Sequence, residues 1–156
     1  MPRDNRMSRM LHVLIHMDRH VKRATSDTMA KMLGTNPVVV RRMMAGLREK
    51  GIVTSEKGHH GGWELAVGLD AITLFDVYEA VGRPALFGIG GQAGHAECLV
   101  EQAVDARMAQ TLAEAERLLF DRFRGITVMD LAADFEQRLG THRQSREADV
   151  TCIDVA

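Results

Sequence analysis

Cysteine is almost absent from this chain of 156 residues, which has only Cys98 and Cys152. Two thiols cannot build a disulfide framework or a four-thiolate zinc site, and they fit a compartment where thiols stay reduced. Proline occurs three times, so little interrupts helices. Aromatics make up 4%, with one tryptophan and one tyrosine, while ten methionines are left to fill the core. That substitution suits helices better than sheets. No apolar run approaches the roughly 20 residues that span a membrane, and no signal peptide opens the chain. The expectation is a cytoplasmic protein without a membrane partner. Catalytic signatures are missing too: there is no phosphate loop, no GxSxG turn and no HExxH pair. The glycines at 88–91 lack the strand–turn–helix setting of a dinucleotide site. An enzyme is not expected.

The net charge of −1 hides a strong asymmetry. Residues 1–62 hold twelve Lys and Arg against five Asp and Glu, whereas residues 63–156 hold eight against sixteen. A basic segment with regular apolar spacing points to a polyanionic partner.

Apolar residues at Met7, Met10, Leu11, Leu14 and Ile15 predict a first helix ending near Arg19. Thr25 and Ser26 are N-cap candidates for a short second helix that stops at Gly34. Asn36 and Pro37 open a third helix, which Gly51 ends. Ile52–Ser55 and Trp63–Ala66 have strand character on either side of a glycine- and histidine-rich tip, which predicts a hairpin. Thr73 and Asp76 form a capping-box pattern for a fourth helix over Leu74, Val77, Tyr78 and Val81. A long helix is expected from about Ala96 to Phe123, with a seam at Val104, Met108, Leu112, Ala115, Leu119 and Phe123. At 1.5 Å per residue it would be roughly 40 Å long, more than a small domain covers, so its apolar seam points to a partner helix, most simply from a second copy of the chain, with packing on its own domain the competing reading for part of the seam. Thr127 caps a last helix to about Leu139. The fold class is therefore mainly α with a small β-hairpin wing: a winged helix-turn-helix plus a long dimerisation helix. The expected division is 1–82 for the DNA-binding domain, 83–95 for a glycine-rich loop, 96–139 for the dimerisation helices and 140–156 for a flexible tail.

Three segments, TNPVVVRRMMAGLREKGIV (Thr35–Val53), KGHHGGWEL (Lys57–Leu65) and ITLFDVYEAV (Ile72–Val81), stand in an order and at spacings that resemble the Rrf2 family of bacterial winged-helix regulators, the group that includes IscR, NsrR and CymR. The likeness runs from about Ser8 to Cys98. It implies a homodimeric transcription factor, often a repressor, bound to double-stranded DNA, with an effector sensed near the start of the long helix.

The residues support the same reading on their own. On the third helix Val40, Met43, Met44 and Leu47 share one face, and Val38, Arg42, Ala45 and Glu49 the opposite one, with Arg41 alongside. Arginine can donate twice to guanine or to phosphate, and valine can touch a thymine methyl. Thr35 and Asn36 sit where a helix start favours phosphate. On the wing, Lys57 suits phosphate or a minor-groove edge. His59 and His60 either contact DNA or merely tip the hairpin. Two-fold symmetry would make the operator an inverted repeat. A winged helix used only as a protein-interaction module is the competing reading, and a salt-dependent affinity for duplex DNA separates the two.

Several members of the family hold an iron–sulfur cluster on three cysteines after the winged domain. Here only Cys98 lies in that region, so the usual site cannot be built and no cofactor is expected. An unusual cluster using Cys98 with His12 or His95 remains an alternative. Cys98 near a helix N-terminus is a candidate redox sensor or a plain cysteine without chemistry. His12, His16 and His20 recur at four-residue steps, as a metal chelate or as a solvated or dimer-facing row.

Overall fold

The computed structural model describes residues 4–19, 22–56, 58, 61–88 and 98–151, of which 141–151 are described as backbone alone. Helix α1 (Arg6–Arg19) begins where the Asp4 carboxylate accepts the Arg6 amide at 3.0 Å and grips the Arg6 guanidinium at 2.6 Å. Its Met10, Val13, Leu14 and Met17 recur at three- and four-residue steps and are all buried. Helix α2 (Ser26–Leu33) starts at Thr25, whose hydroxyl accepts the Thr28 amide at 3.1 Å, and stops at Gly34, which takes the left-handed conformation. Helix α3 (Pro37–Glu49) starts at Asn36, whose side-chain oxygen accepts the Val38 amide at 2.8 Å. Its Val40, Met43, Met44 and Leu47 complete a three-helix core in which five methionines are buried. The flexible thioether fills irregular gaps that a branched side chain would leave open.

Strands β1 (Val53–Glu56) and β2 (Gly62–Leu65) pair antiparallel, with Val53 opposite Leu65 and Glu56 opposite Gly62. Both lie within a residue of the expected positions. The hairpin has a neighbour that the sequence pattern does not announce. Ala24, in the link between α1 and α2, exchanges both backbone hydrogen bonds with Trp63, at 3.1 and 2.9 Å.

Helix α4 (Leu74–Ala80) carries the expected capping box, Thr73 with Asp76. A second box, Thr127 with Asp130, opens helix α6 (Val128–Thr151). The two starts are tied together: the Leu74 amide donates to the Ile126 carbonyl at 3.0 Å, and the Val128 amide to the Ile72 carbonyl at 2.8 Å. Val128 and Ala132 are fully buried in the same core as α1, α2 and α3.

Two boundaries differ from expectation. Helix α5 (Leu99–Arg124) starts at Leu99, after Cys98 in extended backbone; Ala96 lies outside the described residues. Helix α6 continues to Thr151 rather than ending near Leu139, so the polar segment expected as a tail is helical up to that residue. Polarity of residues 140–151 removes the apolar period but leaves good helix formers such as Gln144, Arg146, Glu147 and Ala148, and no proline follows.

Helix α5 holds no fully buried residue along its length, and its two halves differ. Near its C-terminal end, Phe120 and Phe123 pack on α4. Ring centroids lie 5.3 Å apart for Phe75–Phe120, 5.2 Å for Tyr78–Phe120 and 6.3 Å for Tyr78–Phe123. At its N-terminal end, Leu99, Val100 and Val104 are 78%, 73% and 55% exposed, and Met108 lies partly open on the same stretch.

Candidate nucleic-acid interface

Burial splits α3 into two faces. Val40, Met43, Met44 and Leu47 face the core, while Val38 is 64% exposed and Arg41, Arg42, Arg48 and Glu49 are open to solvent. Neither Arg41 nor Arg42 forms an ion pair among the described residues. Two guanidiniums therefore stand open beside an exposed valine on a helix that follows a tight turn. Thr35 and Asn36 are placed at the start of this helix, but both side chains already hold structural bonds. The Thr35 hydroxyl accepts from the Arg9 guanidinium at 3.4 Å, and Asn36 satisfies the Val38 amide. The Val38 N–H is thus not free to meet a phosphate. Arg9 stands at the α3 start through this contact, a link between distant segments that carries no sequence signal.

The wing stands over the other side of α3. The indole N–H of Trp63 donates to the Ser26 hydroxyl at 3.0 Å, and the Arg48 guanidinium lies 6.0 Å from the Trp63 ring while donating to Ser55 at 3.3 Å. Trp63 packs the wing onto the domain, as its size and polar tip lead one to expect. Between hairpin, α2 start and α3 lies a cleft of about 500 Å³ lined by Thr25, Asp27, Arg41, Ser55 and Glu56. Lys57, His59 and His60 lie outside the described residues. Gly58 is described, with φ +110, a backbone that side chains rarely adopt, which accounts for glycine at the tip.

Arg23 bridges both wing strands from outside. Its guanidinium reaches Glu64 at 3.0 Å and Glu56 at 2.7 Å, and the hydrogen bond to Arg23 holds the Glu64 carboxyl below its ordinary range. None of these three residues stood out in the sequence.

The orientation of α3 is set from its far side. Gly46 of α3 faces Ala80 of α4 so closely that an added Cβ would lie 2.0 Å from the Ala80 carbonyl oxygen. One turn on, Glu79 takes Lys50 at 2.6 Å and also pairs with Arg83. Hydrogen bonds to Lys50 and then Arg83 draw the Glu79 carboxyl down to about 2.

Among the described residues the sensor candidates are Cys98, His12 and His16. Cys98 is exposed at the N-terminus of α5 and makes no side-chain cap. The rings of His12 and His16 meet edge to face at 4.6 Å on α1, beside Ile15, Arg19 and Phe135. His20, His95 and Cys152 lie outside the described residues. Among the described residues no three His, Cys, Asp or Glu side chains come together as a metal site. With one described thiol, alone and exposed, the donor set does not fit a thiolate-held iron–sulfur cluster.

A helix-turn-helix whose second helix presents unpaired arginines, flanked by a docked hairpin, defines a winged-helix DNA-binding protein. Comparison with known proteins narrows this. The chain belongs to the Rrf2 family, described as iron-dependent transcriptional regulators, whose model matches residues 3–134. It is accordingly a DNA-binding transcriptional regulator and not an enzyme. It is 27% identical over 130 residues to YwnA of Bacillus subtilis (strain 168), named as an HTH-type transcriptional regulator, covering 82% of this chain and 95% of that one. A transcriptional regulator of Lactobacillus plantarum superposes with a TM-score of 0.73 at 21% identity, covering 92% and 98% of the two chains. IscR of T. potens superposes with a TM-score of 0.59 at 17% identity over 88% and 90%. The last two likenesses speak for the fold.

Proposed function

We propose that the chain acts as a homodimer on double-stranded DNA, reading an inverted-repeat operator in the cytoplasm and repressing by occupying it. The observation that carries this reading is the exposed face of α3, where Arg41 lines the wing cleft and Val38 and Arg42 line a second groove beside Arg6, Ala80 and Gly82. Arg42 and Arg41 reach base edges or phosphates in a major groove, and the wing with Lys57, His59 and His60 reaches the flanking backbone or minor groove. Thr35 and Asn36 shape the start of the reading helix and stand next to phosphate. The second copy covers Leu99, Val100 and Val104 of α5, whose exposure in one chain is what an apolar seam awaiting a partner looks like. Cys98, exposed at the foot of that seam, is the candidate thiol through which oxidation alters the dimer.

Selection of bound sites from a random duplex pool, with reduced and with peroxide-treated protein, tests the DNA reading, its two-fold symmetry and the redox response. An inverted repeat recovered from reduced protein alone supports the redox-responsive regulator. Recovery from both samples keeps the regulator and removes peroxide as its signal. No enrichment at low salt overturns the DNA-reading proposal in favour of a protein-interaction module. On the recovered site, Arg42→Ala should cost about 1–3 kcal/mol and relax the preference at one base pair; unchanged affinity takes Arg42 off the reading face.

A further inference from the structure

Arg23 sits before α2, outside the helix-turn-helix, and its geometry points to a role that neither the reading helix nor the wing tip fills. We infer that Arg23 is the positioning residue of the wing: it ties β1 and β2 to the α1–α2 link and so holds the hairpin where it meets DNA. The inference rests on the DNA-binding reading above.

Register explains how one side chain reaches both strands. Because Ala24 pairs with Trp63, Arg23 lies beside Glu64 as on a third strand. Glu56 pairs with Gly62, and alternation along a strand puts Glu56, Gly62 and Glu64 on one face, opposite to Val53 and Trp63. Glu56 is two strands away from Arg23, and the path to it crosses Gly62. A Cβ at Gly62 would lie 3.0 Å from the Arg23 Cγ and 3.0 Å from the Ala24 carbonyl oxygen. The missing side chain at Gly62 is therefore the seat over which the arginine stem passes. Its planar fork then meets Glu64 through Nε and Glu56 through Nη1, at 3.0 and 2.7 Å.

The arrangement has two effects at one place. Mechanically, the hairpin is fastened on both faces, by Arg23 outside and by the Trp63–Ser26 bond inside. Electrostatically, Glu56 lines the cleft beside Arg41, where an unpaired carboxylate would face incoming phosphates. Pairing with Arg23 offsets that charge.

Trp63, the single tryptophan, reports the wing without DNA. In Arg23→Gln, acrylamide quenching of Trp63 in the free protein should rise while the thermal midpoint stays near wild type, since exposed ion pairs add little stability. Operator affinity should fall about tenfold and the salt slope by about 1 as a wing phosphate contact is lost. Hydroxyl-radical footprints should lose the wing-flank protections and keep those of the reading helix. Arg23→Lys, which reaches only one carboxylate, should fall between the two. Gly62→Ala, with Arg23 intact, should reproduce the quenching change. Unchanged quenching in both Arg23→Gln and Gly62→Ala overturns the positioning role, whatever DNA does. Raised quenching with operator binding and footprint unaltered separates wing docking from DNA contact, and overturns the inference at that second step. If wild-type protein binds no duplex, the DNA-binding reading fails by itself, and the quenching series still decides whether Arg23 fastens the wing.

Discussion

Replacing Gly46 by alanine sets two physical effects against each other. Gly46 lies within α3, where intrinsic preference favours alanine over glycine by about 1 kcal/mol. Propensity alone makes Gly46→Ala a stabilising change. The structure reverses the sign. The new Cβ would sit 2.0 Å from the Ala80 carbonyl oxygen and 3.1 Å from its carbon. Carbon–oxygen contacts close at about 3.3 Å, so α3 and α4 must part by roughly an ångström. The obstacle is backbone, and no rotamer change relieves it. Overpacking of this kind costs about 1–3 kcal/mol, and this obstacle belongs at the upper end, leaving a net loss of about 1–2 kcal/mol after the propensity gain. For a chain of this size that lowers the melting midpoint by roughly 2–8 °C. Urea unfolding followed by Trp63 fluorescence and helical circular dichroism reads the loss directly. Gly140→Ala is the control: Gly140 lies in α6 with nothing within 4 Å of the added atom, so there propensity acts unopposed. Gains of similar size at both positions would refute the reasoning, because the Ala80 carbonyl would then have no part in the outcome.

Glu79 makes stability depend on acid. Its carboxyl is drawn from 4.5 to about 2, so what the Lys50 and Arg83 pairs contribute is complete above about 4.5 and is lost as pH falls towards 2. Glu79→Gln should be less stable than wild type at neutral pH and converge with it in strong acid; a carboxyl midpoint near 4.5 by NMR contradicts this. Ser26→Ala removes the acceptor of the Trp63 indole, held at 3.0 Å, and should cost about 1–2 kcal/mol with a shift in tryptophan emission; unaltered emission denies that bond its role. Val104→Asp places a charge in the exposed seam of α5 and should yield a folded monomer by sedimentation, with operator binding lost. A dimer of wild-type stability would move the contact elsewhere.

Local chemistry made most of the helices legible. Thr25, Asn36 with Pro37, and Thr73 with Asp76 each announce a helix start through a side chain that satisfies a free amide, and each forms that bond. The inward face of α3 followed from period alone. Contacts between distant segments did not. A single bridge such as Ala24 with Trp63 has no period, and Arg23 is one basic residue among twelve until its register against Glu64 is seen. The Gly46–Ala80 approach is hidden in the same way, since a lone helix glycine reads as a weak spot until its neighbour is known. The end of α6 was misplaced because apolar spacing stops near Leu139 while helix-forming residues continue. Arg41, Arg42 and Val38 stood out as an exposed face, whereas the bonds that occupy Thr35 and Asn36 required the fold.

Val128 and Ala132 close the core of the winged head, yet they come after the long helix in the chain. During synthesis the head cannot finish before α5 has left the ribosome and α6 has begun. Until then α1 lacks the α6 side of its packing and the Ile72 carbonyl lacks the Val128 amide. The reading head and the stem that would join two heads are thus completed in one event, and the distant order of these contacts slows that event. A chain that stops before α6 lacks Val128 and Ala132 from the core on which the reading helix rests.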